Sequence, residues 1–391
     1  MRKLNKIALI LSPLALAAAS CGSAQSGDSA TPLATAAPAP SPFAIEEKGT
    51  FDSPWATAFA PGTQVLFVTE KAGTMKFVDL ASGRQGTVTG LPKVLNQGQG
   101  GLGDVAFLPS ESAATLGRRT IYLTWADPGD GTASFAAMGR GTLVCEQADA
   151  CRIDNLQRIW RQQPAIRSPG HYSHKIAFSP DGKYLFLSSG ERMQGDPAQQ
   201  LDTNLGKVLR LNLDGTPAEG NPFADRGGVS REIWSYGHRN LLGLKFDLDG
   251  QLWDLEHGPR GGDEINRIEP GNNYGWPVRS NGDDYDGDVI PDHTPDDGFT
   301  KPAISWNPVI APGDFVFYSG KLWPEWRNEA LAAGMASMAL VRVKLADGKG
   351  TEEARYDFGK RLRDIVEAAD GSLYVVEDGP GGRLLRLTPK G

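Results

Sequence analysis

The sequence predicts an all-β protein folded as a six-bladed β-propeller with four-stranded antiparallel blades. Three observations carry that reading. Past residue 45 long helical periodicity is scarce, and short alternating strands parted by Gly turns take its place. Asp181-Gly182, Asp249-Gly250 and Asp370-Gly371 each open a tight turn into an apolar strand, and each strand ends at a Gly nine residues after the Asp. A second unit, an alternating strand with its Arg facing outward, recurs downstream at 208–211, 265–268, 340–343 and 384–387. Strand pairs repeated in this way point to a propeller, where each blade packs face to face on its neighbours. Six units are expected, centred near residues 51–80, 100–145, 171–214, 233–270, 312–346 and 361–389.

The 391 residues divide into three stretches. Residues 1–21 read as a lipoprotein-type signal peptide: Arg2, Lys3 and Lys6 precede an apolar run too short to span a bilayer. The run ends in Ala18-Ala19-Ser20-Cys21, which resembles a bacterial lipobox with Cys21 as the lipidated residue, although Ala18 stands where Leu is usual. Ordinary signal cleavage is the alternative. Residues 22–43 are Ala, Pro, Ser, Gly and Thr almost throughout and read as a flexible tether. Residues 44–391 are the propeller. The expected location is therefore the periplasm, lipid-anchored to a bacterial membrane. Cys145 and Cys151 flank a short polar loop and would form a local disulfide in an oxidising compartment, with two free thiols as the alternative. A net charge of -7 offers no basic excess for nucleic acid.

Four segments are unusual for turns. GQGGLG at 98–103 is dense in Gly, which lets backbone approach a ligand closely. GHYSH at 170–174 puts two histidines ahead of a strand, and YGHRN at 236–240 sets three polar side chains after a Gly. Charge, Gly and Pro crowd together in EHGPRGGDE at 256–264. Taken singly, each is a turn, a structural histidine or a solvated acidic loop. Together, at successive blade entrances, they suggest one site.

The run from 236 to 277, YGHRNLLGLKFDLDGQLWDLEHGPRGGDEINRIEPGNNYGWP, resembles the soluble pyrroloquinoline quinone (PQQ)-dependent sugar dehydrogenases. This is the glucose/sorbosone dehydrogenase family, and the chain looks like its aldose sugar dehydrogenase type. GQGGLGDVAF, GHYSHKIAFSPDG, NLGKVLRLNLDG and RLRDI match in order, so the likeness runs from about 51 to 389.

The resemblance implies a six-bladed propeller that oxidises aldoses at C1 to lactones with PQQ and Ca²⁺. By that resemblance His171 is the general base, and Gln99, Arg239 and Asn240 line the quinone and substrate site. Gly258 and Pro259 offer carbonyls to the Ca²⁺, and Arg361 and Arg363 meet the cofactor's carboxylates. The chemistry suits these types. Guanidinium groups pair with carboxylates, Ca²⁺ takes oxygen ligands, and a neutral His accepts a hydroxyl proton near neutral pH.

Some positions depart from the family pattern. His174 falls where the family commonly has Gly, and Gly170 stands where its glucose oxidisers carry an Asp. Ala336 takes the place of a cofactor-contacting Lys, and Val309 that of a Thr. Asp284 to Asp288 is an acidic loop whose Gly is misplaced for an EF-hand. The implied partners are a sugar substrate and an electron acceptor the sequence does not identify. Two other functions fit a propeller: a calcium-dependent hydrolase such as a lactonase, and a non-catalytic extracellular binding module.

Overall fold

The computed structural model describes residues 39–391; the signal segment, Cys21 and the tether up to residue 38 lie outside the described residues. The described chain is all-β, with short 3-10 turns between strands. No helix among the described residues is long and apolar enough to cross a membrane.

Four sheets have four strands each, one has eight, and a short ribbon pairs Arg260–Gly261 with Gly282–Asp283. The eight-stranded sheet is two antiparallel four-strand meanders joined where Thr87–Thr89 pairs in parallel with Ala150–Arg152. The Asp-Gly turns sit where expected: Gly182, Gly250 and Gly371 have φ of 68°, 86° and 87°, a region costly for any residue with a Cβ. The first strand of each meander is Pro54–Phe59, Leu102–Phe107, Ser173–Phe178, Asn240–Phe246, Pro312–Phe317 or Leu362–Glu367. Each packs on the next, and the last packs on the first, so these six strands form a closed ring.

Apolar clusters fill the space between neighbouring sheets. In one, Tyr318, Leu331 and Leu340 pack against Leu362, Leu373 and Leu385 of the following sheet. Burying each such side chain contributes roughly 1.5–3 kcal/mol, so face-to-face stacking of sheets holds the ring together.

The expected units differ from the observed sheets in one systematic way. They contain the inner three strands and leave out the outermost: Arg84–Thr89, Ala150–Arg161, Ile233–Tyr236, Ile304–Trp306 and Lys349–Asp357. The sequence puts residues 233–236 at the opening of the fourth unit; in the structure they close the third sheet. Outer strands are half-exposed, and one is three residues long, so they carry little apolar alternation. The last sheet takes its outermost strand from the start of the domain, where Phe43–Asp52 pairs antiparallel with Pro380–Pro389. Ordered pairing thus begins at Phe43, one residue before the boundary expected at 44, and the Ala39 N–H already donates to the Arg355 carbonyl at 2.9 Å. Cys145 and Cys151 are bonded in the structure, with Cα atoms 4.3 Å apart.

Candidate active site

One cavity of about 210 Å³ opens at the N-terminal ends of the inner strands. Gln99, Asn240, Arg361 and Arg363, four of the candidate site residues, are in its wall. Trp55, Lys71, His257 and Met335 share that wall and were not singled out from sequence. His171, Arg239, Gly258 and Pro259 lie outside it.

The two arginines converge on Asp378. Arg361 Nε donates to Asp378 Oδ2 at 2.8 Å, and Arg363 donates to Oδ1 through Nε at 2.9 Å and Nη2 at 2.7 Å. Between them Leu362 is fully buried in the sheet interface. The Arg363 guanidinium lies 4.4 Å from the centre of the Trp55 ring, a cation–π contact that fixes its plane. Burial pushes the Asp378 carboxyl up, but the guanidinium groups outweigh it and hold its pKa below the usual range. Two cations thus share one carboxylate, which leaves the cavity with uncompensated positive charge.

His171 adjoins the wall residue Tyr172, and is buried in the left-handed region at φ 49°. Its backbone N–H donates to Gln99 Oε1 at 2.8 Å, which ties the Gly-rich turn to the histidine. Its Nδ1 pairs with the Glu191 carboxylate, and the other Glu191 oxygen accepts the Gly195 N–H at 2.8 Å. Burial lowers the His171 pKa, Glu191 pulls it back up, and nearby Arg239 lowers it again; the net shift is downward, so the ring is neutral at neutral pH. Nδ1 therefore carries the proton toward Glu191, leaving Nε2 as the basic atom. Sequence reasoning missed Glu191, whose one signal is a carboxylate just after the strand-end Gly190.

His174 is in a different environment. Its Nδ1 lies 2.9 Å from Thr124 Oγ1, and burial drives its pKa down to about 3. A Cβ on Gly103 would fall 2.0 Å from His174 Cε1, so that Gly makes room for the ring. His257 Nε2 donates to the Pro312 carbonyl at 2.6 Å, and burial lowers its pKa to about 3. It faces the cavity uncharged.

Arg239 and Gly258 border a smaller hollow with Trp276 and Glu264. The Arg239 backbone N–H donates to Glu256 Oε2 at 2.7 Å, and its guanidinium lies 5.2 Å from the Trp276 ring and 5.9 Å from that of Tyr285. Gly258 N–H donates to Asp263 Oδ1 at 2.9 Å, and a Cβ on Gly258 would strike the Gly262 backbone at 2.3 Å. Among the described residues, no hydrogen bond engages the Gly258 or Pro259 carbonyl.

Ala336 is exposed and Val309 half-buried, and neither is in the cavity wall. The Asp284 to Asp288 loop closes on itself: Asp284 N–H donates to the Asp288 carbonyl at 2.9 Å, and the Asp286 carboxylate accepts the Asp288 N–H at 3.1 Å.

A ring of antiparallel sheets thus carries at one end a cavity lined by Trp55, Lys71, Arg361 and Arg363. A family model described as glucose / sorbosone dehydrogenase matches residues 51–386, and the chain belongs to that family. Aldose sugar dehydrogenase YliI of Escherichia coli (strain K12) is 34% identical over 345 residues, covering 87% of this chain and 91% of the relative. A crystal structure of a glucose dehydrogenase superposes with a TM-score of 0.82 at 36% identity, covering 89% of this chain and all of that one. The PQQ-bound aldose sugar dehydrogenase of Streptomyces coelicolor aligns over 90% of this chain and 100% of that one, at 25% identity and a TM-score of 0.71.

Proposed function

We propose that this chain is a six-bladed propeller that oxidises aldose sugars at C1 to lactones with PQQ and Ca²⁺. The observation that carries the reading is the cavity itself. Gln99, Asn240, Arg361 and Arg363, distant in sequence, share one wall with Trp55 as a flat neighbour. Its excess positive charge suits a planar tricarboxylate.

In this reading Arg361 and Arg363 hold cofactor carboxylates, and Gln99 and Asn240 contact the ring system. The Gly258 and Pro259 carbonyls hold Ca²⁺, consistent with their lack of other partners. When bound, the quinone accepts the hydride from C1, and Ca²⁺ polarises the accepting carbonyl. The chain's own work is proton transfer and positioning. His171 Nε2 takes the C1 hydroxyl proton as the C–H bond breaks, and Glu191 fixes the tautomer and stabilises the imidazolium that forms. Arg239, whose backbone N–H is held by the Glu256 carboxylate and whose guanidinium donates to the His257 carbonyl at 3.3 Å, is assigned to the substrate side.

A calcium-dependent hydrolase would need carboxylates directed at the metal. The cavity wall carries cations, and the carboxylates beside Gly258 are engaged elsewhere, Glu256 by His238 and the Arg239 N–H and Glu264 by Asn266. Export, with lipid on Cys21 and the propeller outside the cytoplasm, belongs to the same proposal. The test is reconstitution: purified apo-protein given PQQ and Ca²⁺ should reduce an artificial dye when supplied with aldoses. Absence of PQQ binding, or binding with no turnover of any aldose, would remove the assignment.

A further inference from the structure

Lys71 sits in the turn between strands Val65–Glu70 and Thr74–Asp79, on the first sheet, far in sequence from the two arginines. Its Nζ donates to the Gly98 carbonyl at 2.5 Å, and its own carbonyl accepts the Leu102 N–H at 3.1 Å. The Gly-rich turn 98–103 is shaped around it. Gly98 has φ 58° and Gly101 φ 132°, and a Cβ on Gly101 would lie 2.3 Å from the Lys71 carbonyl oxygen and 2.7 Å from its Cγ. Any larger residue at Gly101 would push Lys71 out of the cavity wall. Burial lowers the Lys71 pKa and the Arg363 charge lowers it further, against the opposing pull of Asp378, so all three groups sense one another.

The charge balance of the cavity then needs an explanation. Lys71, Arg361 and Arg363 face it, while Asp378 is the one carboxylate those arginines bind and His257 is neutral. With Asp378 as the one carboxylate among them, three cations leave a net positive charge that a bound anion would offset. An ammonium has three donors, and among the described residues Lys71 uses one. The sheet that begins with Pro312–Phe317 supplies no cation here, and its Ala336 is exposed and outside the wall.

We propose that Lys71 is a third cofactor-binding cation, which pairs with a carboxylate of PQQ and supplies from the first sheet the charge that Ala336 does not. The proposal rests on reading the cavity as the PQQ site. The Gly-rich turn then acts as a positioning element that brings Lys71 to the ligand and holds it by the Gly98 carbonyl.

The test is PQQ titration of the apo-protein with Ca²⁺ present, followed by the absorbance of the bound quinone and independent of turnover. Lys71→Met should weaken PQQ binding at least about tenfold, and Lys71→Arg should stay within about threefold of wild type. The salt dependence of binding should be shallower in Lys71→Met than in wild type. In the unmodified protein, PQQ should protect Lys71 from acetylation, read by peptide mass, whether or not a variant folds. Equal titration curves for wild type and folded Lys71→Met, or equal labelling with and without PQQ, would overturn the proposal. A wild type that binds no PQQ would instead remove the cavity reading on which it rests, and an Arg361→Ala/Arg363→Ala variant separates the cases. If that variant loses affinity while Lys71→Met does not, the cavity reading stands and Lys71 leaves it.

Discussion

A neutral imidazole with one nitrogen committed to a carboxylate has a single basic atom left, and His171 is held in that state by Glu191 and Gln99. His171→Ala should lower turnover by at least about two orders of magnitude while PQQ still titrates in. Glu191→Gln separates positioning from packing through its pH profile. Glu191 raises the His171 pKa, so its loss moves the acid limb of kcat/KM to lower pH and reduces the plateau. A Glu191→Gln enzyme with wild-type plateau and limb would leave the pair without a catalytic role. If His174→Ala abolished turnover and His171→Ala did not, the base would be misassigned; the tight packing of His174 against Gly103 and Thr124 argues the opposite. At this scale the sequence exposed residues that lie in long, ordered motifs: Gln99, His171, Arg239, Asn240, Arg361 and Arg363. It concealed Trp55, Lys71, Glu191, His257 and Asp378. Most of these stand alone in their own turns, and only folding brings them to the others.

Among the elements, the strands legible in sequence are those with both faces buried, such as Tyr184–Ser189 and Leu373–Glu377, whose apolar runs follow an Asp-Gly turn. The outermost strands are legible only by their partners. Phe43–Asp52 has four consecutive exposed residues between its buried ends, and nothing local announces that it pairs with a strand more than three hundred residues away. It is fastened by those ends. The Phe43 ring meets Trp323, Trp326 and Tyr356 edge-on, with centroids 5.5, 5.9 and 5.2 Å away. Phe43→Ala should therefore cost about 3–5 kcal/mol by removing a buried ring from a packed cluster. Ile45→Ala, on the same strand but 51% exposed, should stay within about 0.5 kcal/mol. Denaturant melts of the two variants give the comparison. Equal, small losses would mean that closure by this strand contributes little to the stability of the ring.

The whole molecule converges on its axis, where each of the six inner strands contributes one polar residue: Thr57, Asp104, Lys175, Lys245, Asp314 and Asp364. Lys175 Nζ lies 2.9 Å from Asp314, 3.7 Å from Asp364 and 3.8 Å from Asp104, and Lys245 Nζ reaches Asp314 at 3.0 Å. Thr57 closes the circle, its N–H and hydroxyl both donating to Asp364 Oδ2 at 2.6 Å. Burial holds the Asp364 carboxyl up near about 7, opposed by Lys175 and reinforced by Asp314. Burial works against the Lys175 ammonium too, yet three carboxylates outweigh it and raise its pKa. Lys175 is the hub, because it reaches all three aspartates whereas Lys245, among the described residues, pairs with Asp314 alone. Lys175→Met keeps most of the side-chain volume and should cost about 3–5 kcal/mol at neutral pH, the usual result of removing one partner from a buried ionic cluster. The sign of its pH dependence distinguishes charge from packing. Lys175 pulls the Asp364 pKa down, so without it that pKa rises further above its unfolded value, and the stability Asp364 withholds returns as pH falls and it takes up a proton. The gap between Lys175→Met and wild type should therefore narrow between pH 7 and pH 5 in denaturant melts. A gap that stays constant over that range would mean that Lys175 acts by filling space, and that the axis is not held together by charge.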